Sequence, residues 1–185
     1  AGHHGAFWAH ERVQSAMAFA RTGNIRRLLE HSQALLSGPI FRYWNRSVVA
    51  AAYLYLGAVD DALEHVSMAA KEQPRDHFLK GMIEGNHCVA TALAGRADAE
   101  GLISALLPWL PVAGRRNVEG AYVALEALAT GLAVIGDREG LARLYPLTLA
   151  GVQTNRVLQT SVIGPSTSQL AAALGLAAAP AAAFA

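Results

Sequence analysis

The sequence has few of the residues on which most catalytic and nucleic-acid-binding sites depend. Its 185 residues include one cysteine, Cys88, so an internal disulfide and a multi-cysteine zinc site are excluded. Charged residues make up 16% of the chain, below the ~25% usual in globular proteins. The net charge is only +1, which gives no electrostatic basis for binding nucleic acid.

Targeting and membrane-spanning patterns are also missing. No charged segment followed by an apolar run begins the sequence, so no signal peptide is predicted. The longest uncharged run, 157–185, is interrupted by polar residues and by Pro165 and Pro180, so it does not predict a membrane span. A single cysteine fits a reducing compartment. We therefore expect a cytoplasmic location and no membrane partner.

What the sequence does contain is apolar residues at helical spacing. Residues of the hydrophobic class make up 53% of the chain, and many of them are alanine, which has the best helix propensity and lets helices approach closely. Apolar positions recur every three or four residues rather than every two, which indicates helix and not strand. The expected fold class is therefore all-α.

Glycines interrupt the helical segments at a regular interval. Five of them are separated along the chain by 34, 38, 41 and 39 residues: Gly23, Gly57, Gly95, Gly136 and Gly175. Glycine after a helix is typical of a C-terminal cap with positive φ, and Asp60, Asp98 and Asp137 are placed to cap the helix that follows. A period of this length is that of a solenoid of helical hairpins.

These breaks predict one domain, 1–185, built as a right-handed solenoid of antiparallel helical hairpins at 7–37, 42–72, 75–110 and 116–149. A partial fifth hairpin would occupy 165–185. The alternative for its end is a disordered Ala/Pro tail, because Pro180 inside a helix would cost about 3 kcal/mol. The alternative architecture is an irregular all-α bundle. The expected helices lie near 7–21, 25–37, 42–56, 59–72, 75–94, 97–110, 116–135, 137–149 and 165–174.

Residues 43–76 resemble a tetratricopeptide repeat, in which small, aromatic, glycine, apolar and proline positions recur at fixed offsets. The matching residues here are Ala50, Tyr53, Gly57, Ala62, Val66, Ala69 and Pro74. Ala50 stands where the repeat has glycine, and Val66 where it has an aromatic residue. The other units match less well, so the resemblance is to a degenerate array with lengthened units. It implies that Ala50 and Ala62 allow a close helix crossing.

Residues 139–176 resemble a segment of the helical-repeat region of large bacterial signalling proteins. Those proteins join a class III nucleotide cyclase or LuxR-type DNA-binding domain to a P-loop ATPase. The matching residues are Leu144, Tyr145, Asn155, Gly164 and Pro165, although the glycine run usual in that loop is absent. No G-x-x-x-x-G-K-[ST] motif occurs in the chain. The resemblance implies a regulatory or sensing segment, with any cyclase or ATPase elsewhere in a parent protein.

The residues that could carry chemistry are better explained by structure. His87 and Cys88 are adjacent, so on a helix they point about 100° apart and do not chelate one ion. Cys88 falls where a crossing needs a small side chain, which predicts a buried, inert thiol. Asp60 and Asp61 are interpreted as a helix cap and first-turn charge rather than a catalytic pair. We expect no catalytic residue, no metal and no cofactor.

Binding is the stronger hypothesis, since tetratricopeptide-like arrays present a concave groove on the first helices of successive hairpins. Counting back from each turn glycine gives the predicted groove residues: His10, Trp44, Ser47, Met82, Gly85, Glu126, Thr130 and Gln169. Trp44 has a second interpretation as an aromatic packed between repeat units. Trp109 is expected to pack under the 108–116 linker.

The sequence therefore predicts a non-catalytic interaction or sensor segment of a larger bacterial signalling or transcription regulator. Its partner would be a protein, a peptide or another domain of the same parent chain. A free-standing adaptor is the alternative, and an all-α enzyme is a weaker one. An Ala-rich, uncapped end can pack on a second copy, which leaves a homodimer open as well.

Overall fold

Helices make up most of the described part of the chain, as the spacing of apolar residues predicts. The computed structural model describes residues 22, 24–36, 42–74, 81–112, 115, 117 and 119–153, and no strand occurs among them. This part of the chain holds seven α-helices, with a 3₁₀ turn at Leu107–Trp109 after the fifth. They are α1 Ile25–Leu36, α2 Arg42–Tyr55, α3 Val59–Glu72, α4 Met82–Leu93, α5 Ala99–Leu106, α6 Glu119–Ile135 and α7 Arg138–Gln153.

Most of the predicted helix ends lie within three residues of the observed ones. The exceptions are α4, discussed below, α5, which gives way to the 3₁₀ turn around Pro108, and α7, which continues past Pro146 to Gln153. The predicted helices 7–21 and 165–174 and the segment after 176 lie outside the described residues.

The predicted helix 75–94 is wrong at its beginning. Gly81 has φ +98°, which is not a helical value, and α4 starts at the next residue. The Gly81 N–H donates a 3.0 Å hydrogen bond to a carboxylate oxygen of Glu84, three residues into the new helix. A glycine beside an apolar run therefore marks a helix start here, where periodicity alone predicts continuation.

Three glycine turns join consecutive helices in the same way, as the sequence predicts. Gly57, Gly95 and Gly136 have φ of 73°, 66° and 75°. In each turn the glycine N–H donates to the carbonyl three residues earlier, and the next N–H donates to the carbonyl five residues earlier, at distances between 2.9 and 3.2 Å. This is the Schellman arrangement, which satisfies the last carbonyls of a helix.

Two of the three predicted aspartate caps are confirmed. Asp98 accepts a 2.7 Å hydrogen bond from the Gly101 N–H, and Asp137 accepts one of 3.1 Å from the Gly140 N–H. Asp60 is not a cap, because Ala58 occupies that position and Asp60 lies in the first turn of α3. There its negative charge still favours the helix N-terminus.

The chain divides into two compact units, Ala1–Arg75 and Asp76–Ala185. Helices α1 to α3 belong to the first unit and α4 to α7 to the second. The division falls within one residue of the start of the predicted third hairpin.

In the first unit, α2 and α3 form an antiparallel pair, and α1 packs on α2. Near the turn, the Tyr53 and His65 rings stack with centroids 5.4 Å apart. Seven residues farther from the turn on each helix, the Arg46 Nε donates 3.0 Å hydrogen bonds to both carboxylate oxygens of Glu72. The buried residues of the pair include Val49, Ala50, Ala62, Val66 and Ala69. Ala62, Val66 and Ala69, which match the repeat pattern, are thus the buried residues of α3.

In the second unit, α6 is the central helix and packs against α4, α5 and α7. The core combines small residues with leucines: Cys88, Ala92, Leu102, Leu106, Ala124, Ala127, Leu128, Ala129, Leu132 and Leu141. Trp109 is partly buried against this core, while its packing under the 108–116 linker stays a prediction.

Candidate functional site

The contact between α4 and α6 is made by small residues spaced identically on the two helices. A β carbon on Gly81 would lie 2.8 Å from the Gly120 carbonyl oxygen, and one on Gly131 would lie 3.8 Å from the β carbon of Ala92. The start of α4 therefore meets the start of α6, and their ends also meet. The two helices run parallel, two elements apart in the chain, in backbone contact.

The face of α6 that carries Glu126 is distinct from the one that meets α4. At 100° per residue, Glu126 lies well away from Ala124 and Ala127, which face α4. Thr130 follows Glu126 by one turn on this second face. The Thr130 hydroxyl donates a 2.8 Å hydrogen bond to the Glu126 backbone carbonyl, and so it does not serve the carboxyl group in the structure.

In the described residues of the second unit, Glu126 is the buried polar side chain that lacks hydrogen bonds at both of its oxygens. It is 1% exposed, and neither carboxyl oxygen has a hydrogen-bond partner in that part of the chain. Burial raises the pKa of Glu126 to about 8, because the charged form loses its hydration without gaining a partner. At neutral pH this carboxyl group is mainly protonated, so it can donate a hydrogen bond.

The structure distributes the predicted groove residues over both units. Trp44 is half-buried on α2, and Thr130 is half-buried on α6. Ser47, Met82 and Glu126 are almost fully buried. His10 and Gln169 lie outside the described residues. A role for any of these residues in partner binding stays a prediction.

The exposure expected for several of them is nevertheless wrong. Ser47, Met82 and Glu126 are interior rather than on an open face, and Gly85 faces Ala127 of α6. Counting back from a turn glycine gives the rotational position of a residue on its own helix, but it does not show what covers that face.

Cys88 is buried, as predicted, and His87 beside it is exposed. Burial, with a smaller contribution from the charge of Glu84, raises the pKa of the Cys88 thiol to about 11. At neutral pH the thiol is therefore protonated and a poor nucleophile. Its position in the core beside Ala92 matches the small-residue role.

Among the described residues, no group of three or more His, Cys, Asp or Glu side chains is arranged to hold a metal ion. None of the helices in that part of the chain is both long and apolar enough to cross a membrane.

Comparison of the chain with models of known protein families, with curated proteins and with solved structures found no match.

The spacing of small residues in the sequence indicates the α4–α6 contact, which the spacing of the turn glycines does not. Gly81, Gly85, Cys88 and Ala92 repeat the spacing of Gly120, Ala124, Ala127 and Gly131. Two equal series of small residues on separate helices favour close packing between those helices. Nothing in the sequence signals that Glu126 is buried, since glutamate at a helical position is most often solvated.

Proposed function

We propose that this chain is a non-catalytic, tetratricopeptide-like repeat segment that holds a peptide, a partner protein or another domain of its parent chain. The main support is the parallel contact of α4 with α6, which are the first helices of successive hairpins. In a hairpin solenoid these helices stack side by side and form the concave surface. The repeated Schellman turns at Gly57, Gly95 and Gly136 also favour a repeating unit.

The preferred setting is a larger bacterial signalling or transcription regulator, on the strength of the resemblance of residues 139–176. A free-standing adaptor has the same geometry. The two alternatives separate on the sequence that flanks residues 1 and 185 in the gene. An ATPase, cyclase or DNA-binding domain there favours the regulator, and the absence of all three removes it.

Trp44 provides the direct test of partner binding. It is half-buried on α2, so a photo-crosslinking aromatic amino acid at this position keeps the bulk of the indole. The crosslinker is introduced into the full-length chain in its native cell, with Glu64, exposed on α3, as the control position. We expect a discrete adduct from position 44 and none from position 64.

The mass of the adduct distinguishes a separate partner from another domain of the same chain. Equal labelling from both positions, or none from position 44, would contradict binding at this face. Trp44→Ala should then reduce the free energy of binding to the identified partner by more than it reduces the free energy of unfolding. Equal losses would assign Trp44 to the core.

An all-α enzyme remains the weaker candidate. The low reactivity expected of the buried Cys88 thiol argues against cysteine nucleophilic catalysis. Turnover by the purified chain that depends on Cys88 or Glu126 would favour the enzyme instead.

A further inference from the structure

Glu126 combines two properties that are costly together. Its side chain is 1% exposed, and both carboxyl oxygens are without a hydrogen-bond partner in the described residues. An ionised carboxylate in such a place is strongly unfavourable, whereas a neutral carboxylic acid is tolerated at a smaller cost. The site is therefore compatible with one protonation state far more than with the other.

Among the described residues, no neighbouring charge offsets this cost. The elements packed against α6 carry several titratable or charged residues, which are Glu84, His87 and Cys88 on α4, Glu100 on α5, and Arg138, Glu139, Arg143 and Tyr145 on α7. The 3₁₀ turn contributes none, and the described side chains of α6 add Tyr122. Burial is the one cause of the raised pKa of Glu126, so none of these groups provides a counter-charge.

Ionisation would act on a tightly packed helix. Glu126 lies one residue before Ala127, whose β carbon would be 2.8 Å from a β carbon on Gly85. The Ala127 methyl group fills the space beside the Gly85 backbone, so α6 cannot rotate to turn its carboxylate toward water while it stays against α4. Hydrating the charge requires that α6 move as a unit or that the second unit open.

We propose that Glu126 is a proton-operated switch in the second unit: the protonated side chain permits close packing of α6, and loss of the proton loosens it. The switch is independent of whichever partner the repeat segment binds. The folded state holds a proton that the unfolded chain releases, so stability falls as the pH rises from about 4.5 to about 8. Above that window the loss is complete.

The test compares amide hydrogen exchange of the intact chain with that of Glu126→Gln, which has the same shape and cannot ionise. Exchange rates of both proteins are measured at pH 6 and pH 9. The intrinsic effect of pH on exchange cancels in the ratio of the intact-chain rate to the variant rate. A pKa of about 8 in the folded state and 4.5 in the unfolded one predicts that this ratio changes about a hundred-fold between the two pH values in α6 peptides. Peptides from α2 and α3, in the other unit, provide an internal control.

A Glu126→Leu variant provides a second comparison in case the amide of glutamine is itself poorly accommodated. Glu100→Gln, at an exposed position on α5, is the matched control, and its ratio should not change with pH. A pH-dependent ratio for both Glu126 variants and not for the Glu100 variant supports the switch. A ratio that is the same at pH 6 and pH 9 for both Glu126 variants, or an equal change in the control, overturns it.

Discussion

A β carbon on Gly85 would lie 2.8 Å from the β carbon of Ala127, closer than two such carbons approach without displacement. Gly85 therefore lets α4 and α6 touch, and the helix carries a residue of poor propensity for that reason. The parallel contact between these two helices therefore depends on the absence of a methyl group at Gly85, as it does at Gly81.

Gly85→Ala should destabilise the second unit by about 1–3 kcal/mol through overpacking, less the roughly 1 kcal/mol that alanine gains in helix propensity. Ala127→Gly in the same protein removes the opposing methyl group. We expect the double variant to be more stable than the sum of the single effects predicts, by about 0.5–3 kcal/mol. Denaturant unfolding of the four proteins measures this coupling. Ala142→Gly, exposed on α7, calibrates the propensity cost, and strict additivity would contradict the close contact.

The turn glycines should respond to substitution through backbone strain alone. A β carbon on Gly57, Gly95 or Gly136 would meet nothing within 4 Å, but all three have positive φ. Alanine at each position should therefore cost about 1–2 kcal/mol, and asparagine less, because asparagine tolerates this conformation better. Melting temperatures of the six single variants provide the measurement. A cost-free alanine at one turn would show that the turn is free to change its conformation.

Ala62 tests the tight crossing of α2 and α3. It is fully buried, so Ala62→Leu should destabilise the first unit by about 1–3 kcal/mol. Ala70→Leu, on the exposed side of the same helix, adds the same carbons without overpacking. Thermal denaturation of both variants is the measurement, and an unchanged melting temperature for Ala62→Leu would count against the tight crossing.

His65 should make the first unit less stable in mild acid. Its pKa is lowered from 6.5, first by burial and then by the positive charge of Arg46, while Glu64 and Asp61 act in the opposite direction. The stability that the neutral ring contributes is thus present above pH 6.5 and is lost as the pH falls toward the folded pKa. Arg46→Gln should raise the pKa of His65, as measured by an NMR titration of the ring proton. Lys71→Gln, an exposed change on α3 with His65, should shift the pKa of His65 less. Equal shifts would remove Arg46 as a cause.

Cys88 should be nearly inert in the folded protein. With a pKa of about 11, about a thousandth of the thiol is ionised at pH 8, and the side chain is buried. A colorimetric disulfide reagent should label it slowly in buffer and rapidly in denaturant. Fast labelling of the native protein would mean that α4 opens readily, or that the thiol is accessible after all.

Most features of the α2–α3 pair can be predicted from the sequence. The turn at Gly57, the buried stripe at Ala62, Val66 and Ala69, and the ends of both helices follow from local rules, because each depends on residues within a few turns of one another. The pairing of Arg46 with Glu72 is not predictable in this way. It depends on the rotation of α2 against α3, which packing sets.

Glu126 and Gly85 show where such reasoning stops. Counting back from a turn glycine predicts both residues in an open groove, and both are interior. The sequence by itself determined most of the helix ends and the glycine turns that join the helices, since propensity, capping and positive φ are local properties. Only the tertiary structure decided which faces are covered, because burial depends on neighbours far away in the chain. Glutamate on a helix is usually exposed to solvent and charged. Glu126 is instead buried and neutral because of the residues that pack around it.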